Sequence, residues 1–187
     1  MAVIVCLLRG VNVGGNHKMA MHELRACFET LGFRDVQTLI QSGNVIFRTA
    51  SRDMAALTAR IEDKIEGSFG FRPRVVLRTC SQLRNTIAVN PFTARDDIDP
   101  AKLLVMFLSE APDTQTMEKV LAIQTGEESM RFCGGELFIY FPNGVGRALL
   151  PVAKIEKALK TPCTGRNWNT VVKLLGMAEE TDNRNTQ

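Results

Sequence analysis

The segment Arg9-Gly10-Val11-Asn12-Val13-Gly14-Gly15-Asn16-His17-Lys18 combines glycines with fixed cations, the composition of a phosphate cradle. Glycine-rich backbone can turn several N–H groups toward an anion, and a helix starting just after it adds the positive end of its dipole. Gly10 and Gly15 have the separation of the outer glycines of a P-loop. However, Asn16 and His17 stand where that loop's lysine and hydroxyl residue belong, so the Walker reading fails. What survives is a generic anion cradle in which Arg9 or Lys18 supplies charge. The same glycines also suit a tight turn that binds nothing.

Two further polar segments could meet a ligand: Ile40-Gln41-Ser42-Gly43-Asn44 and Thr164-Gly165-Arg166-Asn167-Trp168-Asn169. Asn and Ser side chains equally satisfy local backbone groups, and Thr164 or Asn167 could cap a helix that Trp168 anchors in a core. Arg72, Arg74 and Arg78 alternate along one extended segment and, with Arg84, could track nucleic-acid phosphates, though an edge strand uses such charges to discourage aggregation. The RNA-binding form of a four-stranded sheet needs aromatics on its central strands, and in the first half Phe47 alone qualifies. Only two histidines occur, His17 and His22, neither in a zinc or nucleophile motif, and there is no CxxC. An enzyme would have to draw on His17, Glu23 or a cysteine such as one paired with His22. No acid, base and nucleophile set names a reaction. No metal or cofactor is expected.

The elements that must position these residues are read from periodicity. Ala2 to Leu8 is a strand-length apolar run of the kind buried on both faces. Met21, Leu24, Cys27, Phe28 and Leu31 recur at helical spacing before Gly32. Val36–Gln41 and Val45–Arg48 flank a short turn at Ser42-Gly43-Asn44. A second helix carries Met54, Leu57, Ile61 and Ile65, has Ser51 as a potential cap and stops near Gly67; a strand over Arg72–Thr79 follows. The order is βαββαβ, a split ferredoxin-like unit.

A short helix over Ser81–Val89 and a Pro- and Asp-containing connector lead to a second copy: a strand over Lys102–Leu108, a helix over Thr114–Ile123, and a hairpin over Glu128–Cys133 and Leu137–Phe141. Pro151–Leu159 is the next helix. Arg166–Met177 reads as helical where a fourth strand is due, and the polar tail is expected to be loose. The predicted fold is therefore α+β with two ferredoxin-like halves, the second lacking its fourth strand and ending in an extra helix. The expected divisions are 1–90, a connector at 91–101, 102–178 and a flexible tail at 179–187. Both opening strands are apolar on both faces, so each sheet needs a cover, from the other half or from a second copy in a homodimer.

Whole-chain properties bound these readings. At 187 residues with 45% hydrophobic and 23% charged residues, the chain can bury a substantial core without metal or disulfide staples. A net charge of +3 falls short of the dense basic stripe of most nucleic-acid binders. Five widely spaced cysteines suit a reducing cytoplasm, and no apolar run approaches the roughly 18 residues that span a membrane.

Taken together, Leu7-Leu8-Arg9-Gly10-Val11-Asn12-Val13-Gly14-Gly15, Ile40-Gln41-Ser42-Gly43-Asn44-Val45 and Arg166-Asn167-Trp168-Asn169-Thr170-Val171 resemble the bacterial domain-of-unknown-function family numbered 1697. The resemblance runs to about Leu175. It implies a cytoplasmic α+β protein with ferredoxin-like halves and no established activity. It also places the family's polar motifs at Arg9, Asn12, Gly14, Gly15, Lys18, Gln41, Ser42, Asn44, Arg166, Asn167 and Asn169, the candidate ligand-binding set. Gly165 departs from the threonine that the resemblance leads one to expect. The function expected from these residues is binding of a small anionic ligand, a nucleotide or phosphorylated metabolite, in one pocket formed by the 9–18 loop, the 41–44 turn and the 164–169 segment. A nucleic-acid-binding module and an uncharacterised enzyme are the alternatives.

Overall fold

The computed structural model describes residues 1–12, 18–93, 97–123, 126–147 and 150–184. The chain divides into two compact units, Met1–Leu83 with Lys173–Gln187, and Arg84–Val172.

The first unit contains β1 (Ala2–Leu8), α1 (Met21–Thr30), β2 (Arg34–Leu39), β3 (Asn44–Thr49), α2 (Met54–Phe69) and β4 (Val75–Thr79). These strands form one antiparallel sheet in the order β2-β3-β1-β4. β1 is flanked on both sides, pairing Leu7 with Asn44 of β3 and Leu8 with Val75 of β4. That central place explains why its residues from Val3 to Leu8 are all buried and all apolar. One face of the sheet, through Ile4, Cys6, Leu8, Val45 and Phe47, packs with Leu24 and Phe28 of α1 and Leu57, Ile61 and Ile65 of α2. Phe33 stacks on Phe47 with ring centroids 4.3 Å apart, and Phe28 meets Phe47 edge-on at 5.4 Å.

The second unit repeats the plan with β5 (Leu103–Leu108), α4 (Thr114–Leu121), β6 (Ser129–Cys133), β7 (Glu136–Tyr140), α5 (Val152–Leu159) and β8 (Cys163–Asn167), in the sheet order β6-β7-β5-β8. Met106, Leu108, Leu137 and Ile139 pack with Val120, Ile155 and Leu159. Two more helices run across the division of the chain: α3 (Cys80–Ala88) and α6 (Trp168–Asn183). Among the described residues there are thus six α-helices and two four-stranded antiparallel sheets, a mixed α+β architecture.

Several expectations are corrected. The second half does have its fourth strand: Cys163–Asn167 pairs antiparallel with β5, from Leu104↔Asn167 to Leu108↔Cys163. Its Cys-Thr-Gly-Arg-Asn sequence has little strand propensity, so ladder pairing rather than local preference makes it a strand. The final helix accordingly starts at Trp168, not Arg166. It also continues to Asn183, and Thr181 is fully buried, so the described part of the expected tail is structured. Finally, α2 is capped by Asp53, whose side chain accepts from Ala56 N at 2.9 Å, and it ends at Gly70 with φ +76° rather than near Gly67.

Among the described residues, no helix is long and apolar enough to cross a membrane.

Candidate functional site

The first strand leads directly into the polar loop. At its end Leu8 N donates to Gly43 O at 2.8 Å and Arg9 N to Arg74 O at 2.9 Å, so the loop leaves the sheet between the β2–β3 turn and the approach to β4. Gly10 and Asn12 then take φ of +72° and +55°, turning the chain through the left-handed region. Asn is among the few residues with a side chain that visit this region readily.

Asn12 does more than turn. Its Nδ2 donates to Met19 O and to Gln41 O, both at 2.9 Å, and its Oδ1 accepts from Met19 N at 2.8 Å. One side chain thereby ties together the start of the loop, its exit into α1 and the hairpin turn. Both amide hydrogens and the carbonyl oxygen are engaged, which makes Asn12 a positioning residue. Asn44 plays a similar part within the turn: it is fully buried, and its Nδ2 donates to Leu39 O at 3.0 Å and to Ser42 Oγ at 2.9 Å. Gly43 has φ +69°, and a Cβ built there would lie 2.8 Å from Leu8 Cβ, so the turn approaches β1 too closely for any side chain.

Between these segments lies a groove of about 600 Å³ lined by Asn12, Lys18, Met19, Ala20, Glu23 and Gln41. Lys18 and Gln41 are exposed, offering an ammonium and an amide. The first residue before α1 is Ala20, which has no side chain to cap the helix. The groove therefore brings a cation and a helix N-terminus together, with Glu23 in the first turn as the one acid among its described lining residues. Met19 and Ala20 were absent from the sequence-based readings, and Glu23 entered them only as a residue an enzyme could use. Their signal is position alone, at the entry of the helix that follows the glycines.

Gly14 and Gly15, like His17, lie outside the described residues. Arg9 is exposed at the end of β1. The sequence-based set is therefore only partly assembled in the first unit: Asn12, Lys18 and Gln41 line the groove, while Ser42 and Asn44 build the turn beside it.

Arg166, Asn167 and Asn169 belong to the second unit. Arg166 is 6% exposed, and its Nη1 donates to Thr164 Oγ1 and Gly165 O, both at 2.8 Å. Asn167 Nδ2 donates to Ala101 O at 2.7 Å, and its Oδ1 accepts from Asn169 N at 3.0 Å, the geometry of a cap on α6. A Cβ at Gly165 would stand 3.3 Å from Leu104 Cδ1 and Cδ2, so a threonine there would press on a β5 side chain.

The arginine segment is differently disposed. β4 begins only at Val75, at the edge of its sheet, which leaves Arg72 and Arg74 before the strand. Arg72 is committed to acids: its Nε lies 3.3 Å from Glu62 Oε2, and its Nη1 meets Asp63 and, at 2.9 Å, Glu66. The hydrogen bonds it donates to Asp63 and then to Glu66 raise its pKa further.

His22 is exposed on α1. Cys27 is buried there, and burial pushes its thiol pKa up, against smaller lowering effects from a Ser68 hydrogen bond at 3.9 Å and from Lys64. A thiol so held is a poor nucleophile at neutral pH. Among the described residues, no group of three or more His, Cys, Asp and Glu stands where it could hold a metal.

Comparison with known proteins gives a family and a fold but no activity. No curated protein matches the chain. Among solved structures, the conserved bacterial protein SP0830 from Streptococcus pneumoniae is similar at a TM-score of 0.72 and 25% identity, over 95% of this chain and 98% of that one. The family described as "Protein of unknown function (DUF1697)" matches residues 1–138, from the opening strand through the loop, the turn and most of the second hairpin, and the chain belongs to that family.

Proposed function

We propose that the groove beside β1 binds a small anionic ligand, a nucleotide or a phosphorylated metabolite. The observation that carries this reading is the junction built by Asn12, which bonds Met19 and Gln41 beside one groove of about 600 Å³ that Lys18 and the uncapped start of α1 also line. That volume is of the order of sites that take ligands of nucleotide size. Lys18 would meet the anion as a mobile point charge, the first-turn amides of α1 would donate to its oxygens, and Gln41 would hydrogen-bond an uncharged part. Glu23 is the counterweight: it disfavours the most highly charged anions and favours ligands carrying a hydroxyl or amino group as well as a phosphate.

We also infer that each unit is a split βαβ unit of the ferredoxin-like kind. The support is the chain order strand-helix-strand-strand-helix-strand, with the first strand between the third and fourth.

Thermal unfolding against nucleotides, sugar phosphates, inorganic phosphate and short oligonucleotides tests the binding reading. A ligand held only by the native state raises stability by about 2.7 kcal/mol at a hundredfold excess over its dissociation constant. The expected result is a shift with a phosphorylated small molecule that Lys18→Ala reduces. No shift with any anion, or one that Lys18→Ala leaves intact, would overturn the reading. A shift confined to oligonucleotides and steeply salt-dependent would favour the nucleic-acid alternative.

A further inference from the structure

The turn between β2 and β3 holds a residue that neither its backbone nor its surroundings favour. Ile40 opens that turn at φ +48°, in the left-handed region. The other non-glycine residues found there, among the described residues, are Asn12, Asp35 and Lys160. Asn and Asp tolerate the region because their short polar side chains bond locally, whereas a β-branched side chain crowds its own backbone. Ile40 is also 55% exposed. Single exposed apolar residues are ordinary. Of the large hydrophobics exposed among the described residues, Met1, Ile40, Leu121, Val145 and Val172, however, Ile40 is the one that combines exposure with a left-handed backbone.

The conformation is imposed from outside the residue. Leu39 O accepts from Asn44 Nδ2 at 3.0 Å, Gln41 O from Asn12 Nδ2 at 2.9 Å and Gly43 O from Leu8 N at 2.8 Å, so the turn is tied to β3, to the polar loop and to β1. A position held this way suits Gly or Asn, and isoleucine gains no burial in exchange, since it remains exposed. Strain of this kind persists where the surrounding structure over-determines it, and it gathers at ligand sites. Ile40 is one peptide, about 3.8 Å between Cα atoms, from Gln41. Gln41 lines the groove with Lys18, Met19 and Ala20, which places Ile40 at the groove's rim.

We propose that Ile40 is a specificity-determining residue of this groove, and that the ligand class it selects is the nucleotide rather than the sugar phosphate or bare phosphate. The inference rests on the groove's assignment to an anion and adds the uncharged part of the ligand. With the phosphate at Lys18, a planar base lies over the Ile40 side chain, extends the apolar surface of Met19 and Ala20, and presents its polar edge to the Gln41 amide. Covering the exposed isoleucine with the base recovers the hydrophobic stabilisation that the free fold forgoes. A sugar phosphate, with hydroxyls throughout, gains nothing from that contact.

The experiment measures by calorimetry the affinities of adenosine 5′-monophosphate and ribose 5-phosphate, which share phosphate and sugar and differ in the base, for the full chain and for Ile40→Asn. Asparagine tolerates the left-handed backbone, so the turn is kept while the apolar contact is lost. The unsubstituted chain should bind adenosine 5′-monophosphate about five- to tenfold more tightly than ribose 5-phosphate, the factor that covering roughly half of an isoleucine supplies. Ile40→Asn should erase that preference by weakening the nucleotide alone, and should unfold at no lower a temperature than the parent. Equal affinities in the unsubstituted chain, or a preference that survives in Ile40→Asn, would overturn the proposal and leave the anion groove standing. Binding of neither ligand would overturn the groove's assignment and this inference with it. A lower unfolding temperature in both Ile40→Asn and Ile40→Gly would overturn the proposal as well, because isoleucine would then serve the turn and not a ligand.

Discussion

Asn12 shows how a residue read as a ligand contact can instead be the part that shapes the site. Its φ of +55° would suit glycine, but its side chain makes three hydrogen bonds that join the loop, α1 and the hairpin turn. At about 0.5–1.5 kcal/mol net per bond, Asn12→Ala should cost about 2 kcal/mol or more in urea unfolding. Asn12→Gly should also destabilise, though less, because it relieves the backbone while still losing the bonds. A glycine variant as stable as the parent would show that conformation alone, not bonding, selects asparagine. Gly43 makes the opposite case. With φ +69° and a Cβ position 2.8 Å from Leu8 Cβ, Gly43→Ala should cost about 1–3 kcal/mol. At this scale the sequence was legible as far as residue type: the polar motifs do cluster at turns and caps. Which atoms were already spent was not legible, because the partners of Asn12, at Met19 and Gln41, are fixed by contacts that no local pattern encodes.

At the scale of elements, the Asn167 cap of α6 is legible, whereas the sequence points to Ser51 in place of Asp53 at α2 and the short strands are not legible. Asp113 begins α4 by accepting from Thr116 N at 2.6 Å, and hydrogen bonds from Thr116 hold its carboxyl below the ordinary aspartate pKa. A carboxyl depressed in the fold contributes stability above its unfolded pKa and loses it as pH falls through the folded value. The stability difference between the parent and Asp113→Ala should therefore be full near neutral pH and shrink through the acid range. A difference independent of pH would show that the cap does not act through its charge. Hydrophobic periodicity found β1, α1, α2, β5 and both hairpins, since each buries an apolar face of recognisable spacing. It missed β8 because Cys163–Asn167 carries no alternating pattern and owes its extension to pairing with β5. It likewise extended β4 back to Arg72, whose side chain is instead drawn toward Glu62, Asp63 and Glu66 of α2.

At the scale of the whole molecule, the chain leaves the first unit at Leu83 and returns to it at Lys173, a connection that no repeat in the sequence announces. The returning segment is integral to that unit. Leu174, Ala178 and Thr181 are fully buried. Arg48, itself 2% exposed, donates through Nη2 to Thr181 O and to Asp182 O, while its Nε lies 2.8 Å from Asp35 Oδ2. Gln37 Nε2 donates to Thr181 Oγ1 at 2.9 Å. A chain ended at Ala178 removes these acceptors and leaves a buried guanidinium short of partners. It should lose about 2 kcal/mol or more of stability, and Arg48→Met should accelerate hydrogen exchange in the last turn of α6. Unchanged stability of the shortened chain would mean that this turn is dispensable. The polar composition of residues 179–183 gave no hint of this role, since a single buried arginine supplies what an apolar face would otherwise provide.

The groove beside β1 remains the centre of the functional reading, and the most direct measurement is a backbone amide NMR titration of the full chain with the phosphorylated ligand giving the largest thermal shift, or with ADP if none does. Saturable shifts concentrated at Lys18 to Leu24 and at Gln41 to Asn44 are expected. Shifts centred elsewhere, or none at millimolar ligand, would contradict the assignment of that groove to an anion.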